Sequence, residues 1–214
     1  MEGAVLMGMP MRIAFAGPRA TGKTTLAEYL VERHGFTRCS LAAPIKRIIA
    51  ECPADSYERH QFLLRWGQEL FPGRMILAAR FATEAAQVLA AERDPGRRAQ
   101  LIGTDVGRAL DQEVWIRYLL THLPDGPVAV DDVRFVNECE ALRQAGVLLV
   151  RLTAPPDVLA ARLAARPGER RDPSHPSEHG LEGLPDDYWD AVWDTSEPFA
   201  ATVAGLEALL RSAA

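Results

Sequence analysis

The stretch Met11-Arg12-Ile13-Ala14-Phe15-Ala16-Gly17-Pro18-Arg19-Ala20-Thr21-Gly22-Lys23-Thr24-Thr25 carries the densest chemistry in the chain. Gly17 to Thr24 fits the spacing G-x-x-x-x-G-K-[ST] of a phosphate-binding loop. Each residue type has a physical job in such a loop. Gly17 and Gly22 let the backbone turn tightly and approach a ligand. The N–H groups of Arg19, Ala20, Thr21, Gly22, Lys23, Thr24 and Thr25 converge on phosphate oxygens at the positive end of the following helix. Lys23 supplies a mobile point charge for the outer phosphates. The Thr24 hydroxyl is placed to hold Mg²⁺. The loop alone leaves open which nucleotide binds and what receives a phosphate.

A second group of residues suits the other half of a phosphoryl transfer. Val128-Ala129-Val130-Asp131-Asp132 reads as a short apolar strand ending in two carboxylates. Phosphate-loop enzymes place an acid at such a strand end to hold Mg²⁺. Side chains alternate along a strand, so only one of the pair should face the metal; a helix N-cap is the competing role. Arg134 falls just beyond that strand end, where ligands of open α/β sheets bind, and its fork can grip an acceptor phosphate or pair with Asp131 or Glu138. Arg108 sits in a Gly-containing turn close to Asp105, suited to a phosphate or base contact or to a salt bridge. Asp105 suits a base contact, an Arg108 contact or an N-cap. Trp115, at helical spacing with Leu119, suits the core or a base-stacking platform, and Lys46 suits the acceptor phosphate or solvent. Arg162 and Arg166 share a helix face at i,i+4 spacing and lead into a loop with Arg170 and Arg171, so they suit charge stabilisation from a closing lid. His175 and His179 lack the surroundings of a zinc site, and no Ser-His-Asp triad is evident.

The elements that must position these groups alternate strand and helix. Residues 11–16 are almost all apolar, as in a parallel strand buried on both faces. A helix from Thr24 to His34 stops at Gly35, a short strand covers Phe36 to Leu41, and Pro44 opens a helix to about Glu51. Residues 54–95 form a locally distinct helical pair broken at Phe71-Pro72-Gly73, which either covers an acceptor or serves packing alone. Further helices are expected over Asp111 to His122, Phe135 to Ala145, Pro155 onward and Glu197 to Arg211. Further strands are expected over Val147 to Leu152 and Tyr188 to Trp193. Residues 167–187, rich in Pro, Gly and charge, read as a long mobile lid loop. No internal repeat is present. The expected fold is α/β, a doubly wound parallel sheet flanked by helices in one domain over residues 1–214.

The bulk properties narrow the function. A chain of 214 residues with 48% hydrophobic and 25% charged residues suits one ordinary domain with a sizeable core. A net charge of −5 argues against a polyanion-binding surface, so no nucleic-acid partner is expected. Cys39, Cys52 and Cys139 lack metal spacing and fit a reducing cytosol. No apolar run approaches a membrane span, and the first ten residues lack a basic leader segment. A start at Met9 or Met11 would leave the first strand whole. The sequence leaves a homodimer open.

Gln100-Leu101-Ile102-Gly103-Thr104-Asp105-Val106-Gly107-Arg108 with Trp115, then Asp132-Val133-Arg134-Phe135-Val136-Asn137-Glu138, and later His175-Pro176-Ser177-Glu178, resemble the phage-type deoxynucleoside monophosphate kinases. The resemblance covers roughly residues 11–46 and 98–212 and does not extend to 54–95. It implies a nucleoside-monophosphate-kinase-like P-loop fold, ATP and Mg²⁺, and γ-phosphate transfer to a deoxynucleoside monophosphate (dNMP). It favours Asp132 over Asp131 as the acid that holds Mg²⁺ with Thr24, through water. The implied site has ATP on Gly17–Thr24 and the acceptor phosphate on Arg108 and Arg134. Lys46, Asp105, Trp115 and Asp132 complete the acceptor side, and Arg162 or Arg166 closes over the transfer. The alternatives are another small-molecule P-loop kinase, a non-catalytic ATP-binding module and a polynucleotide-end kinase.

Overall fold

The computed structural model describes residues 10–165 and 171–212. The first strand, β1 (Arg12–Ala16), buries Ile13 to Ala16 completely, as its unbroken apolar run requires. It feeds through the Gly17–Gly22 loop into helix α1 (Lys23–His34), which ends on Gly35 in a left-handed conformation. β2 (Thr37–Cys39) and α2 (Ala43–Glu51) follow. The described strands pair in parallel in the order β2-β3-β1-β4-β5, with β3 at Val128–Val133, β4 at Leu148–Thr153 and β5 at Ala191–Asp194. The last strand starts later than the sequence suggests, because Tyr188 closes a short 3₁₀ turn (Asp186–Tyr188) and Trp189 is buried beside it.

Alternation along the strands divides the core into two layers. Ile13 and Phe15 of β1, Ala129 of β3 and Leu152 of β4 pack on Leu26, Ala27 and Leu30 of α1 and on Leu206 of helix α10 (Phe199–Ser212). Ala14 and Ala16, with Val128, Val130 and Leu149, face the larger layer. That layer holds α2, α3 (Ser56–Leu70), α4 (Met75–Ala91), α6 (Val114–Thr121) and α7 (Val136–Gln144). Between α4 and α6 lie α5 (Pro95–Gln100) and a π-helical segment, Leu101–Arg108.

The helical pair over residues 54–95 exists as α3 and α4, and a close backbone approach joins them. A Cβ on Gly67 would lie 2.4 Å from the Ala78 carbonyl oxygen, so only glycine permits that contact. Asp55 caps α3 through the Tyr57 and Glu58 amides. Phe81 of α4 is fully buried, worth about 2–3 kcal/mol of apolar transfer, and meets the Trp115 ring at 6.3 Å. Asp94-Pro95-Gly96 both ends α4 and starts α5, where the Asp94 carboxylate accepts from the Arg97 amide at 3.0 Å.

Residues 100–108 depart from the sequence reading. They form a continuous helical path whose exit is π-type, with the Ala109 amide reaching the Thr104 carbonyl, instead of a Gly-containing turn. The widened turn follows from packing at two small residues. A Cβ on Gly107 would lie 2.5 Å from the Trp115 indole, and Trp115 Nε1 donates to the Gly103 carbonyl at 2.7 Å.

Candidate active site

The loop after β1 has the conformation a phosphate cradle needs. Gly17 has φ 126°, and a Cβ there would lie 2.1 Å from the Leu152 carbonyl oxygen of β4. Gly22 (φ 88°) and Ala20 (φ 65°) are also left-handed, and Ala20 is strained there. Thr21 is fully buried and its hydroxyl donates to the Pro18 carbonyl at 2.9 Å, closing the loop on itself. The first turn of α1 has no acidic residue and its N-cap Gly22 offers no side-chain acceptor, so the N-terminal amides and helix dipole favour an anion. Lys23 Nζ donates to the Gly17 and Pro18 carbonyls at 2.7 and 2.6 Å. Burial, then the Arg134 charge, brings its amine down to about 7, against the pull of Asp132, Glu178 and Asp131.

The two carboxylates at the end of β3 separate in role. Opposite β1, Ala14 pairs with Val130 and Ala16 with Val133, so β3 carries one extra residue at Asp131-Asp132. The bulge breaks simple alternation. Asp131 Oδ2 accepts from Thr24 Oγ1 at 3.0 Å and from Arg38 Nε of β2 at 2.9 Å. Asp132 instead accepts from Ser40 Oγ at 2.6 Å and from the Leu41 and Ala42 amides at 2.7 and 2.9 Å. The sequence reading put the metal on Asp132; the structure sets Asp131 against Thr24 and gives Asp132 the turn before α2. Burial and the neighbouring Asp132 push the Asp131 carboxyl up, so its ionised form is under-compensated where it stands. Hard oxygen donors from Thr24 and Asp131 in that setting fit Mg²⁺, which takes few protein ligands and completes its shell with water and phosphate. Among the described residues no cluster of three or more His, Cys, Asp or Glu side chains competes for a metal.

A cleft opens between α2, the π-helical segment, the end of β3 and the segment carrying Arg171 and Ser177. Leu41, Ile45, Gly103, Trp115 and Phe135 make its apolar wall; Gln100, Thr104, Arg108, Asp132, Arg134 and Arg171 bring polar groups. Residues 54–95 do not line it; they buttress Trp115 from behind. Trp115 is 2% exposed with its ring nitrogen bonded, which makes it a fixed wall and not a free stacking platform. Lys46 is exposed and lines a different groove with Arg38 and Tyr118, the solvent-facing one of the two placements the sequence left open.

Arg108 lies 3.7 Å above the Phe135 ring. Its Nη1 donates to the Gln112 carbonyl at 2.7 Å and faces Glu138 Oε1 at 3.4 Å, and its Nη2 donates to Asn137 at 2.9 Å. Arg134 Nη1 donates to the Ser177 carbonyl at 3.0 Å and pairs with Glu178 Oε2 at 3.2 Å. The sequence reading gave Glu138 only a surface salt bridge. It is buried, it accepts from the Arg134 and Phe135 amides at 2.8 and 3.1 Å, and burial pushes its carboxyl up to about 7.

Residues 171–187 are held down by specific contacts, where the sequence suggested a mobile loop. The Gln100 amide pairs with the Asp172 backbone in both directions, at 3.0 and 2.9 Å. His175 Nε2 meets Asp105 at 3.2 Å, which gives Asp105 a lid partner. The short helix α9 (Pro176–His179) follows α8 (Pro156–Ala164) in chain order and brings Glu178 to Arg134. A Cβ on Gly180 would lie 2.4 Å from the Arg134 carbonyl oxygen, a measure of how closely the lid meets β3. Arg162 Nη1 donates to the Ala20 carbonyl at 3.2 Å and to Thr195 Oγ1 at 3.1 Å. It thereby borders a second pocket with Thr21, Gly22, Phe199 and Thr202. Arg166 and Arg170 lie outside the described residues. Arg38, Ser40 and Thr195 gained roles that no local motif announces; Glu138 ends the Asp132–Glu138 motif, and its place three residues after Phe135 lets its carboxylate accept from the Phe135 amide, with no return bond because phenylalanine has no side-chain acceptor.

Strand order and loop define the class: a nucleotide-binding P-loop kinase domain. The chain belongs to the AAA domain family, whose model matches residues 13–181. A protein of Acanthamoeba polyphaga mimivirus named "Putative deoxynucleotide monophosphate kinase" is 28% identical over 191 residues, 80% of this chain and 82% of that protein. Among solved structures, a sugar kinase from Janibacter sp. HTCC2649 aligns over 94% of this chain and 95% of its own, with a TM-score of 0.50 at 16% identity. Shikimate kinase from Bacteroides thetaiotaomicron aligns over 94% and 98%, at 0.49 and 16%. No described helix is long and apolar enough to cross a membrane.

Proposed function

We propose that the protein transfers the γ-phosphate of ATP to a deoxynucleoside monophosphate, giving ADP and the deoxynucleoside diphosphate. The observation that carries this reading is the cleft that holds Arg108 and Arg134. Its apolar wall of Leu41, Ile45, Trp115 and Phe135 suits a flat base, and Arg108 and Arg134 suit a phosphate monoester. The name of the mimivirus relative and the paired motifs around Arg108 and Arg134 point the same way.

In this reading ATP lies on Gly17–Thr24, with its base toward the pocket bordered by Arg162 and Phe199. Lys23 leaves the Gly17 and Pro18 carbonyls for the outer phosphates, which restores its full charge. Thr24 and Asp131 would hold Mg²⁺, which would supply charge neutralisation to the phosphates. Arg134 and Arg108 hold the acceptor phosphate, and the lid residues 171–182 keep water out. The acceptor oxygen is already anionic, so no general base is required; positioning and electrostatics carry the rate.

The test is to incubate the protein with ATP, Mg²⁺ and each of the four dNMPs and separate the products by ion-exchange chromatography. A new dNDP peak equal in amount to the ADP formed supports the reading. ADP formation that is unaffected by any dNMP refutes it.

A further inference from the structure

We propose that Glu138 is a positioning residue for the acceptor, one carboxylate that holds Arg108 and Arg134 in a common frame. The inference rests on the acceptor-phosphate role of those two arginines and adds to it the group that orders them.

Glu138 sits in the first turn of α7, 3% exposed, and its two oxygens do different work. Oε2 accepts from the Arg134 and Phe135 amides at 2.8 and 3.1 Å. This fixes the backbone from which the Arg134 side chain departs. It also fixes the Phe135 ring, on which the Arg108 guanidinium stacks at 3.7 Å. Oε1 faces Arg108 Nη1 at 3.4 Å, inside a pocket where Arg108 is only 11% exposed. Arg108 is therefore held both by the carboxylate and by the ring that the carboxylate places. A guanidinium carries five donors. The Gln112, Asn137 and Glu138 contacts use three of them, so among the described residues Nε–H and one Nη2–H remain for a ligand.

A helix cap alone would not need this arrangement. A Ser or Thr at the Phe135 position would cap α7 without burying a charge. Here a carboxylate is buried beside Asp132, and burial with that neighbour holds its carboxyl at about 7. The groups facing it are Arg108 from the π-helical segment, Asp132 and the Arg134 amide from the end of β3, and the Phe135 amide. Cys139, next along α7, is pushed up to about 12 and stays neutral throughout the working range.

The sign of the effect separates positioning from simple electrostatics. A negative charge beside an anion site repels the anion, so an electrostatic bystander predicts tighter anion binding when the charge is removed. A positioning role predicts weaker binding. The test uses the protein saturated with ADP, which fills the phosphate loop, and inorganic sulfate, whose charge is constant with pH, followed by calorimetry. Sulfate is expected to bind about tenfold more weakly to Glu138→Gln than to wild type at pH 8, with ADP affinity unchanged. Sulfate affinity of wild type is expected to fall as pH drops from 8 to 6, and that of Glu138→Gln to stay flat. Equal or tighter sulfate binding by the variant, or no sulfate binding by wild type, overturns the proposal. If the variant does not fold, the wild-type pH series decides alone, and a flat series is contrary. The sulfate test needs no dNMP turnover, so failure of the dNMP reading would show separately, as absent dNDP with the sulfate result intact. Where dNMP turnover is present, Glu138→Gln should raise the dNMP KM about tenfold and leave the ATP KM unchanged.

Discussion

The two adjacent acids on β3 predict opposite outcomes for one chemical change. Asp132→Asn strips a carboxylate that accepts from Ser40 Oγ, Leu41 N and Ala42 N. Whichever way the new amide turns, its NH₂ faces at least one of those donors. Each stranded donor costs about 1–3 kcal/mol. At about 2–4 °C per kcal/mol for a chain of this size, one stranded donor should lower Tm by about 2–12 °C. Asp131→Asn acts differently. Burial and Asp132 push the Asp131 carboxyl up, so the folded state disfavours its charge and a neutral amide relieves that penalty, against loss of the Arg38 pair at 2.9 Å. Tm should stay within about 2 °C of wild type. Function should separate the other way, with Asp131→Asn losing about 10²-fold or more in turnover and shifting the Mg²⁺ titration to higher concentration. Differential scanning fluorimetry and a Mg²⁺ titration of ADP release measure both. A wild-type Mg²⁺ requirement in Asp131→Asn, together with a shifted one and a native Tm in Asp132→Asn, would refute the assignment.

Other predictions concern the loop, the lid and pH. Lys23→Ala should lower ADP release about 10²-fold or more in a coupled assay with the fold intact by circular dichroism; full rate would remove Lys23 from the reaction. Gly17→Ala should destabilise by several kcal/mol, because its Cβ would overlap the Leu152 carbonyl, whereas Gly22→Ala meets only the strain of φ 88° and should cost about 1–2 kcal/mol. Urea denaturation ranks the two, and equal midpoints would contradict the geometry. Gln100→Ala removes the paired amide contact to Asp172, so amide exchange over residues 172–178 should quicken while that of β1 does not change. The Glu138 carboxyl is held at about 7, above its unfolded value of 4.5. The unfolded chain releases that proton first, so stability falls as pH rises from about 4.5 to 7 and is level above. The span corresponds to about 3 kcal/mol. The Tm of wild type relative to Glu138→Gln should therefore drop between pH 5 and 8, and a constant difference would show that Glu138 ionises normally.

Local patterns carried the strands, the phosphate loop and the helix stops, because each depends on neighbours in sequence. The apolar run of β1, Gly35 after α1 and Pro44 at the start of α2 all act within a few residues. The division of labour between Asp131 and Asp132 was not legible, because it depends on a bulge against β1 and on where Ser40 and Arg38 arrive from β2. Trp115 shows the same limit from another side. Its helical spacing was plain, but its choice of core over ligand is set by Phe81, Gly103 and Gly107 around it. The lid composition read as loop, and its attachment through Gln100, Arg134 and Gly180 is a long-range fact. Buried Glu138 reversed the weight a sequence assigns to a glutamate, since its burial is decided by packing and not by residue type.

The most direct test of the central claim is the steady-state rate of ADP release with ATP alone and then with each dNMP added. A low rate with ATP alone and a saturable rise with at least one dNMP are the expected result. No rise with any dNMP, from protein that is folded and binds ATP, would contradict it.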